Sequence, residues 1–338
     1  MPKEVFVYTG RFELENGECL AGFELAYQTW GKRNVDDSNI IWVCHALTGN
    51  TDVIDWWPGM IGDGAALDPE KHFIICANML GSCYGSTHAL SINPDTGTPY
   101  YHSFPLLTNR DMVRAFDALR EALQIKNIKL ILGGSMGGQH ALEWAVIKPD
   151  LFEYLAPVAT NAQHSAWGIA FNETQRMSIE ADSTWLEQHA EAGSRGMKAA
   201  RAAALLSYRS YAAYQTSQEE PEDSNYDAFR ASSYQQYQGN KIVQRFNAFA
   251  YWTLSKAMDS QNLGRGRGGV EQALQSIKAK TLVIAIDSDI LFPPLEQQFI
   301  AEHIPNAQYE VVRSPKGHDG FLIEITAISD LLKGFINA

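Results

Sequence analysis

A mostly parallel, doubly wound α/β sheet interrupted by a helical insertion is the fold this sequence predicts. Three observations lead there. Short β-branched apolar runs alternate with amphipathic segments of helical spacing. The alternation breaks near residue 164 into a long helix-rich stretch. It resumes near residue 281. The chain has 338 residues and 45% apolar content, enough for one large core carrying an insertion.

Residues 1–35 alternate apolar and polar positions, as in Glu24-Leu25-Ala26-Tyr27-Gln28-Thr29-Trp30, and predict antiparallel strands. Ile40-Ile41-Trp42-Val43-Cys44 and Phe73-Ile74-Ile75-Cys76-Ala77 predict buried parallel strands feeding loops. Met112, Phe116, Leu119 and Leu123 share one face of a helix over 111–123. The next strand is 128–132, and a helix over 136–148 ends before Pro149. Residues 164–262 carry long helical stretches, such as 196–214, with a polar, acidic loop at 217–224. A Gly/Arg-rich connector, 264–269, leads back to a strand at 281–286, a helix at 295–303, a strand at 309–312 and a closing helix from Glu324. The expected division is a core of residues 1–163 and 264–338, with 164–263 as a helical lid.

Charge and cysteine usage narrow the function classes. The formal charge is −12, and no Lys/Arg run is present, which argues against nucleic acid and anionic membranes as partners. The start, Met1-Pro2-Lys3-Glu4-Val5-Phe6, shows no apolar signal-peptide region. No apolar stretch approaches the roughly 20 residues of a membrane span. Cys19, Cys44, Cys76 and Cys83 form no CxxC pair and are expected to be reduced, two of them in the core. A cytoplasmic location fits. The histidines lack HExxH or similar spacing, so no metal is expected.

The chemistry-bearing motif is Gly133-Gly134-Ser135-Met136-Gly137-Gly138, a GxSxG string between an apolar strand and an apolar helix. That context makes it a nucleophile elbow and the fold an α/β-hydrolase fold. A phosphate loop would carry GxxxxGK[ST] or GxGxxG, and neither is present. The tight turn lifts Ser135 above the sheet edge, at a helix N-terminus that favours developing negative charge. Chain order in this fold is Ser, acid, His. Of nine histidines, His303 and His318 follow the last strong strand and its acidic loop. His303 falls in a helix, so His318, in a loop directly after a strand, is the expected base. The acid lies just past 281–286. Asp289, deeper in that loop, is preferred over Asp287, which ends the strand and can instead hold the loop by local hydrogen bonds. The oxyanion hole is expected from the backbone N–H groups of Met136 and Leu47.

These residues sit among longer runs: His45-Ala46-Leu47-Thr48-Gly49, Asn78-Met79-Leu80-Gly81-Ser82-Cys83-Tyr84-Gly85-Ser86-Thr87, Ser91-Ile92-Asn93-Pro94, Arg110-Asp111-Met112-Val113-Arg114-Ala115, Ala141-Leu142-Glu143-Trp144, Tyr208-Arg209-Ser210, Asp287-Ser288-Asp289 with Leu291-Phe292-Pro293-Pro294, and Gly317-His318-Asp319. In them the chain resembles the homoserine O-acetyltransferases of the α/β-hydrolase superfamily, from about residue 20 to about 325. The resemblance implies ping-pong transfer of acetyl from acetyl-CoA through Ser135 to the hydroxyl of homoserine, a step towards methionine. It implies no resident cofactor, since acetyl-CoA is a co-substrate. It selects Asp289 as the acid, and Arg201 and Asp319 as contacts for the amino-acid substrate. Without it, Arg201 reads as a solvated helix charge and Asp319 as a loop cap. It also implies a homodimer formed through the insertion.

Succinyl transfer is the nearest rival. Relatives suited to it carry an arginine after the acid, whereas Ile290-Leu291-Phe292-Pro293-Pro294 is uncharged. A serine acceptor differs by one methylene, worth only about 1–3 kcal/mol of discrimination. Ester hydrolysis would use the same triad, and a non-catalytic receptor would usually have lost part of it. Three stretches depart from the family pattern: His88-Ala89-Leu90 after Thr87, residues 50–55, and Asn109 in place of an apolar residue before Arg110. They are expected near the site mouth and the first oxyanion loop.

Overall fold

Apolar alternation along the inner strands fixes two packed layers on one sheet. The computed structural model describes residues 2–221 and 224–337. In chain order the elements are β1 (Glu4–Tyr8), β2 (Phe12–Glu13), β3 (Cys19–Leu20), β4 (Phe23–Trp30), β5 (Ile40–Cys44), α1 (Val53–Trp56), β6 (Phe73–Ala77), α2 (Asn109–Ala122), β7 (Ile128–Gly134), α3 (Met136–Ile147), β8 (Phe152–Val158), α4 (Ala166–Glu180), α5 (Ser194–Tyr208), α6 (Tyr211–Gln218), α7 (Arg230–Val243), α8 (Ala248–Asp259), α9 (Val270–Gln275), β9 (Lys280–Ile286), α10 (Pro294–His303), β10 (Ala307–Val312), α11 (Gly320–Ile323) and α12 (Ile325–Ile336). The main sheet runs β1-β4-β6-β5-β7-β8-β9-β10. The β1–β4 and β4–β6 pairs are antiparallel, and the remaining pairs are parallel.

Every residue of β5 is buried, as a central parallel strand requires. Its alternate residues divide between the faces. Ile40, Trp42 and Cys44 join the layer holding α2 and α3, whereas Ile41 and Val43 join the layer holding α12. On the first face Trp42 meets Trp144 edge-on, with ring centroids 4.8 Å apart, and Phe116 and Phe152 close around them. Helix α2 starts two residues earlier than its apolar spacing implies. Thr108 and Asp111 form a reciprocal cap that satisfies its first N–H groups.

Strand β8 was not anticipated. Phe152-Glu153-Tyr154-Leu155-Ala156-Pro157-Val158 carries a proline, which argues against a central strand. The ladder accommodates it: β8 pairs with β9 at Tyr154–Lys280, Leu155–Thr281 and Val158–Ile284, passing over Pro157. The long helix expected over 196–214 is two helices. Arg209 is extended, and the Ser210 side chain accepts from Ala213 N–H to cap α6. The acidic loop expected at 217–224 begins later, because Ser217 and Gln218 belong to α6. Its Glu222 and Asp223 lie outside the described residues.

The helical stretch α4–α8 leaves and re-enters the core at one point. Gln163 bridges Asn262, His164 N–H donates to Gln261 O at 2.9 Å, and Leu263 N–H donates to Ala162 O at 3.0 Å. The connector that follows is latched by charge. Arg267 and Arg110 both meet Glu143, at 2.5 and 2.8 Å, and Arg265 meets Glu15 at 2.9 Å. Cys44 and Cys76 are buried, and all four cysteines are free thiols.

Phe116→Ala should cost about 3–5 kcal/mol of stability, because the aromatic cluster around Trp42 cannot collapse into the gap. Urea unfolding measures this, and a loss under about 1 kcal/mol would show that the cluster is not tightly packed.

Candidate active site

The sharp turn between β7 and α3 is forced by close packing. A methyl group at Gly137 would overlap the Cys44 carbonyl, so only glycine lets α3 approach β5 this closely. Between them Ser135 takes φ 58° and ψ −127°, a strained conformation costing about 1–3 kcal/mol for a side-chain-bearing residue. Neighbouring bonds hold it there. Ser135 N–H donates to Val158 O at 3.0 Å, and Thr160 Oγ1 donates to Ser135 O at 2.7 Å.

Asp289 and His318 come from the loops after β9 and β10. His318 Nδ1 donates to Asp289 Oδ2 at 2.6 Å, with both side chains buried. A carboxylate only accepts, so Nδ1 carries the proton and Nε2 is the basic nitrogen. Asp289 Oδ1 accepts from Leu291 N–H at 2.8 Å and Phe292 N–H at 2.9 Å, which offsets the cost of burying the charge. Asp287 does something else: its Oδ1 accepts from Ser314 N–H and ties the β9 and β10 loops together. Phe292 and Phe321 flank the His318 ring, each with centroids 5.1 Å away.

Leu47 and Met136 are both buried. Among the described residues, neither backbone N–H has a carbonyl partner, leaving two donors beside the elbow. The Leu47 loop is braced by His45. Its Nδ1 lies 2.9 Å from Ala46 O and its Nε2 accepts from Met79 N–H at 3.2 Å. Burial lowers the His45 pKa to about 4, so the ring is a neutral strut. From the insertion, Arg245 reaches Thr48 O at 2.8 Å and the Tyr84 hydroxyl at 2.6 Å.

Arg201, on α5, lies 5.4 Å above the Tyr208 ring, whose centroid is 5.9 Å from that of His318. Asp319 follows His318 directly. Burial pushes its carboxyl above the ordinary range, against the pull of Arg209, Arg201 and His318. Arg209 Nε stands 3.1 Å from Asp319 Oδ2. The α5–α6 break therefore rests on the histidine loop, and a side chain at Gly317, where φ is +70°, would overlap the Arg209–Ser210 backbone.

The three departures from the family pattern are not grouped at one mouth. His88 and Leu90 line a groove along β1 and β4, with Ala89 buried between them and Thr87 N–H bonded to Glu24 O. Residues 50–55 lead into α1 beside the oxyanion loop, where Asn50 O accepts from Trp56 Nε1. Asn109 is buried behind α3 and bonded to Gln139 and Gln261. Sequence reading did not single out His45, Arg209 or Arg245 individually. Their partners lie far away in the chain, and no local spacing marks them.

A serine at a helix N-terminus, an oriented imidazole and two free N–H groups suit acyl transfer through a covalent acyl-serine. The profile of the alpha/beta hydrolase fold matches residues 39–324. A protein from Cyclobacterium marinum named homoserine O-acetyltransferase is 49% identical over 335 residues, covering 99% of this chain and 95% of its own. The crystal structure of a homoserine O-acetyltransferase from Bacillus anthracis superposes with a TM-score of 0.90 at 23% identity, covering 100% of this chain and 98% of its own. An acetylester hydrolase from Corynebacterium glutamicum superposes with a TM-score of 0.87 at 27% identity, covering 100% and 96%.

Asp289→Asn keeps an acceptor for the Leu291 and Phe292 N–H groups but disfavours the Nδ1–H tautomer of His318. Its p-nitrophenyl acetate turnover should fall by on the order of 10³–10⁴. Asp287→Asn should retain turnover within about tenfold. Equal losses in the two variants would contradict the assignment of the acid.

Proposed function

The chain belongs to the homoserine O-acetyltransferase family of α/β-hydrolase-fold enzymes, and from that premise we propose that it transfers acetyl from acetyl-CoA to the hydroxyl of L-homoserine, on the path to methionine. The observation that carries the reading is the match along nearly the whole chain, insertion included, to a protein named for this reaction.

Ser135 Oγ attacks the thioester carbonyl while His318 Nε2 takes its proton, and Asp289 stabilises the imidazolium. The tetrahedral oxyanion lies between the Leu47 and Met136 N–H groups. CoA leaves as the thiol with the proton from His318. The homoserine hydroxyl then gives its proton to His318, attacks the acetyl-serine, and Ser135 leaves reprotonated. Arg201 grips the α-carboxylate through parallel bonds. Asp319, shared with Arg209, meets the α-ammonium. Donor size is supported by the segment after Asp289. It is uncharged and places Phe292 against His318, with no cation there for a succinyl carboxylate. We take residues 164–263 as a lid that keeps water from the acyl-enzyme.

The reading needs no resident cofactor and no metal. It places the enzyme in the cytoplasm with small-molecule partners. Among the described residues, no helix is long and apolar enough to cross a membrane. We place a homodimer contact in the insertion, where Trp167, Met177, Leu186, Tyr211 and Tyr237 expose apolar surface.

Acetyl-CoA alone should add one acetyl mass to the peptide containing Ser135, and homoserine should discharge it. Succinyl-CoA should leave the peptide unmodified. CoA release that ignores homoserine would make the protein a hydrolase. Arg201→Lys should raise KM for homoserine by on the order of 10–100-fold, with p-nitrophenyl acetate acylation unchanged. Because the Asp319 pKa is raised, the ammonium contact strengthens as Asp319 ionises, and KM for homoserine should fall as pH climbs from the acid side. A KM independent of pH below neutrality would remove Asp319 from that role.

A further inference from the structure

Behind the nucleophile helix runs a buried chain of carboxamides that the acyl-transfer steps do not use. Asn109 Nδ2 donates to Gln139 Oε1 at 2.9 Å, Gln139 Nε2 donates to Asn161 Oδ1 at 2.8 Å, and Asn161 Nδ2 donates to Glu296 Oε2 at 3.0 Å. The second Nδ2 proton of Asn109 goes to Gln261 Oε1, also at 2.9 Å. The three amides are almost wholly buried. They come from α2, α3 and the loop after β8, and the carboxyl comes from α10. Gln139 is the link to the chemistry: its backbone N–H donates to Ser135 O at 3.2 Å, in the first turn of α3.

Each link from Asn109 through Gln139 and Asn161 donates towards Glu296. A carboxamide can be turned either way by exchanging its O and NH₂ ends, whereas an ionised carboxylate only accepts. An acceptor at the end forces Asn161 to present its NH₂ there and its oxygen to Gln139, and the same choice passes to Asn109. We propose that Glu296 is a positioning residue for the nucleophile: as an acceptor-only carboxylate it fixes the direction of the Asn109–Gln139–Asn161 chain and so holds the first turn of α3 beneath Ser135.

The groups facing Glu296 place this within the working pH range. Asn161 and Ser165 hydrogen-bond to it and favour its charge, while burial and the nearby Asp289 carboxylate oppose it, pushing its pKa up to about 7. His164 borders the chain, 3.5 Å from both Gln139 Nε2 and Asn161 Nδ2, and is neutral there, its pKa lowered to about 4 mainly by burial. Further out, Asn172 connects His164 to Asp259, which is paired with Arg176. Protonated Glu296 gains a donor and no longer dictates the direction of the chain, so acylation should need it ionised. Folding pulls the other way. With the folded pKa above the unfolded value, Glu296 binds its proton more tightly in the folded state, and its contribution to stability declines as pH rises through about 7.

The proposal rests on Ser135 as the nucleophile, and its test uses p-nitrophenyl acetate, which needs no homoserine. Gln at 296 carries a donor as protonated Glu296 does, so the ratio of wild-type to Glu296→Gln kcat/KM should be near one on the acid side and rise several-fold as pH climbs through about 7. Asn109→Leu should lower the high-pH plateau several-fold. In a Ser135→Ala background, ¹³C NMR of labelled glutamate should show a carboxyl titrating near pH 7 that Glu296→Gln removes. A wild-type to Glu296→Gln ratio that does not change with pH, an unchanged plateau in Asn109→Leu, or a Glu296 carboxyl titrating in the ordinary carboxylate range would each overturn the proposal. If Ser135→Ala still releases nitrophenolate at the wild-type rate, the nucleophile assignment itself fails. If it does not and the wild-type to Glu296→Gln ratio is independent of pH, only the role of Glu296 fails.

Discussion

The approach of α3 to β5 is the constraint from which the site follows. It exists because position 137 carries no side chain where the Cys44 carbonyl lies. That approach bends the chain sharply enough to force Ser135 to φ 58° and turns the first free N–H of α3 towards the end of β5. The residues leaving β5 are His45, Ala46 and Leu47, so the same contact sets the Leu47 N–H near the start of α3. The strain at Ser135 persists because bonds from β8 and Thr160 over-determine its backbone.

The sheet and the insertion divide the work. Ser135, Asp289 and His318 all stand on loops at the carboxyl ends of β7, β9 and β10, where parallel strands place their following loops on one edge. Such an edge is common to acyl hydrolysis and acyl transfer. The cations around the histidine loop and the Leu47 loop come from the insertion: Arg201 and Arg209 beside Asp319, and Arg245 against Thr48. The break between α5 and α6 lies directly on the histidine loop. Movement of the insertion would therefore alter the charge around Asp319 before it altered the triad.

Buried polar groups behind the site follow the same economy of partners. Asp289 accepts three hydrogen bonds, His45 uses both ring nitrogens, and the Asn109–Gln139–Asn161 chain runs from one element to the next until it reaches a carboxyl. His140, directly after Gln139 on α3, has neither nitrogen bonded among the described residues. Burial lowers its pKa to about 3, so it packs as a neutral ring against Phe116.

Sequence by itself determined the parts whose physics is local. Apolar runs gave β5, β6, β7 and β9, the 3.6-residue period gave α2, a following proline bounded α3, and glycines around a serine between strand and helix marked the elbow. Chain order then pointed to His318 and to the loop after β9 that carries Asp287 and Asp289, because the fold returns its later strands to one edge in a fixed sequence. Only the tertiary structure decided the rest. Pro157 lies in a central strand because the ladder to β9 passes over it, and α5 ends at Arg209 because that residue turns away to meet Asp319. Asp287 and Asp289 differ by two positions, yet one ties two loops together and the other holds an imidazole. Asn109, read as a departure near the mouth, belongs to a chain ending at Glu296, far away in sequence. Periodicity reports which face of an element is buried. It carries no information about which distant polar group waits there, and a buried hydrogen bond depends on that partner.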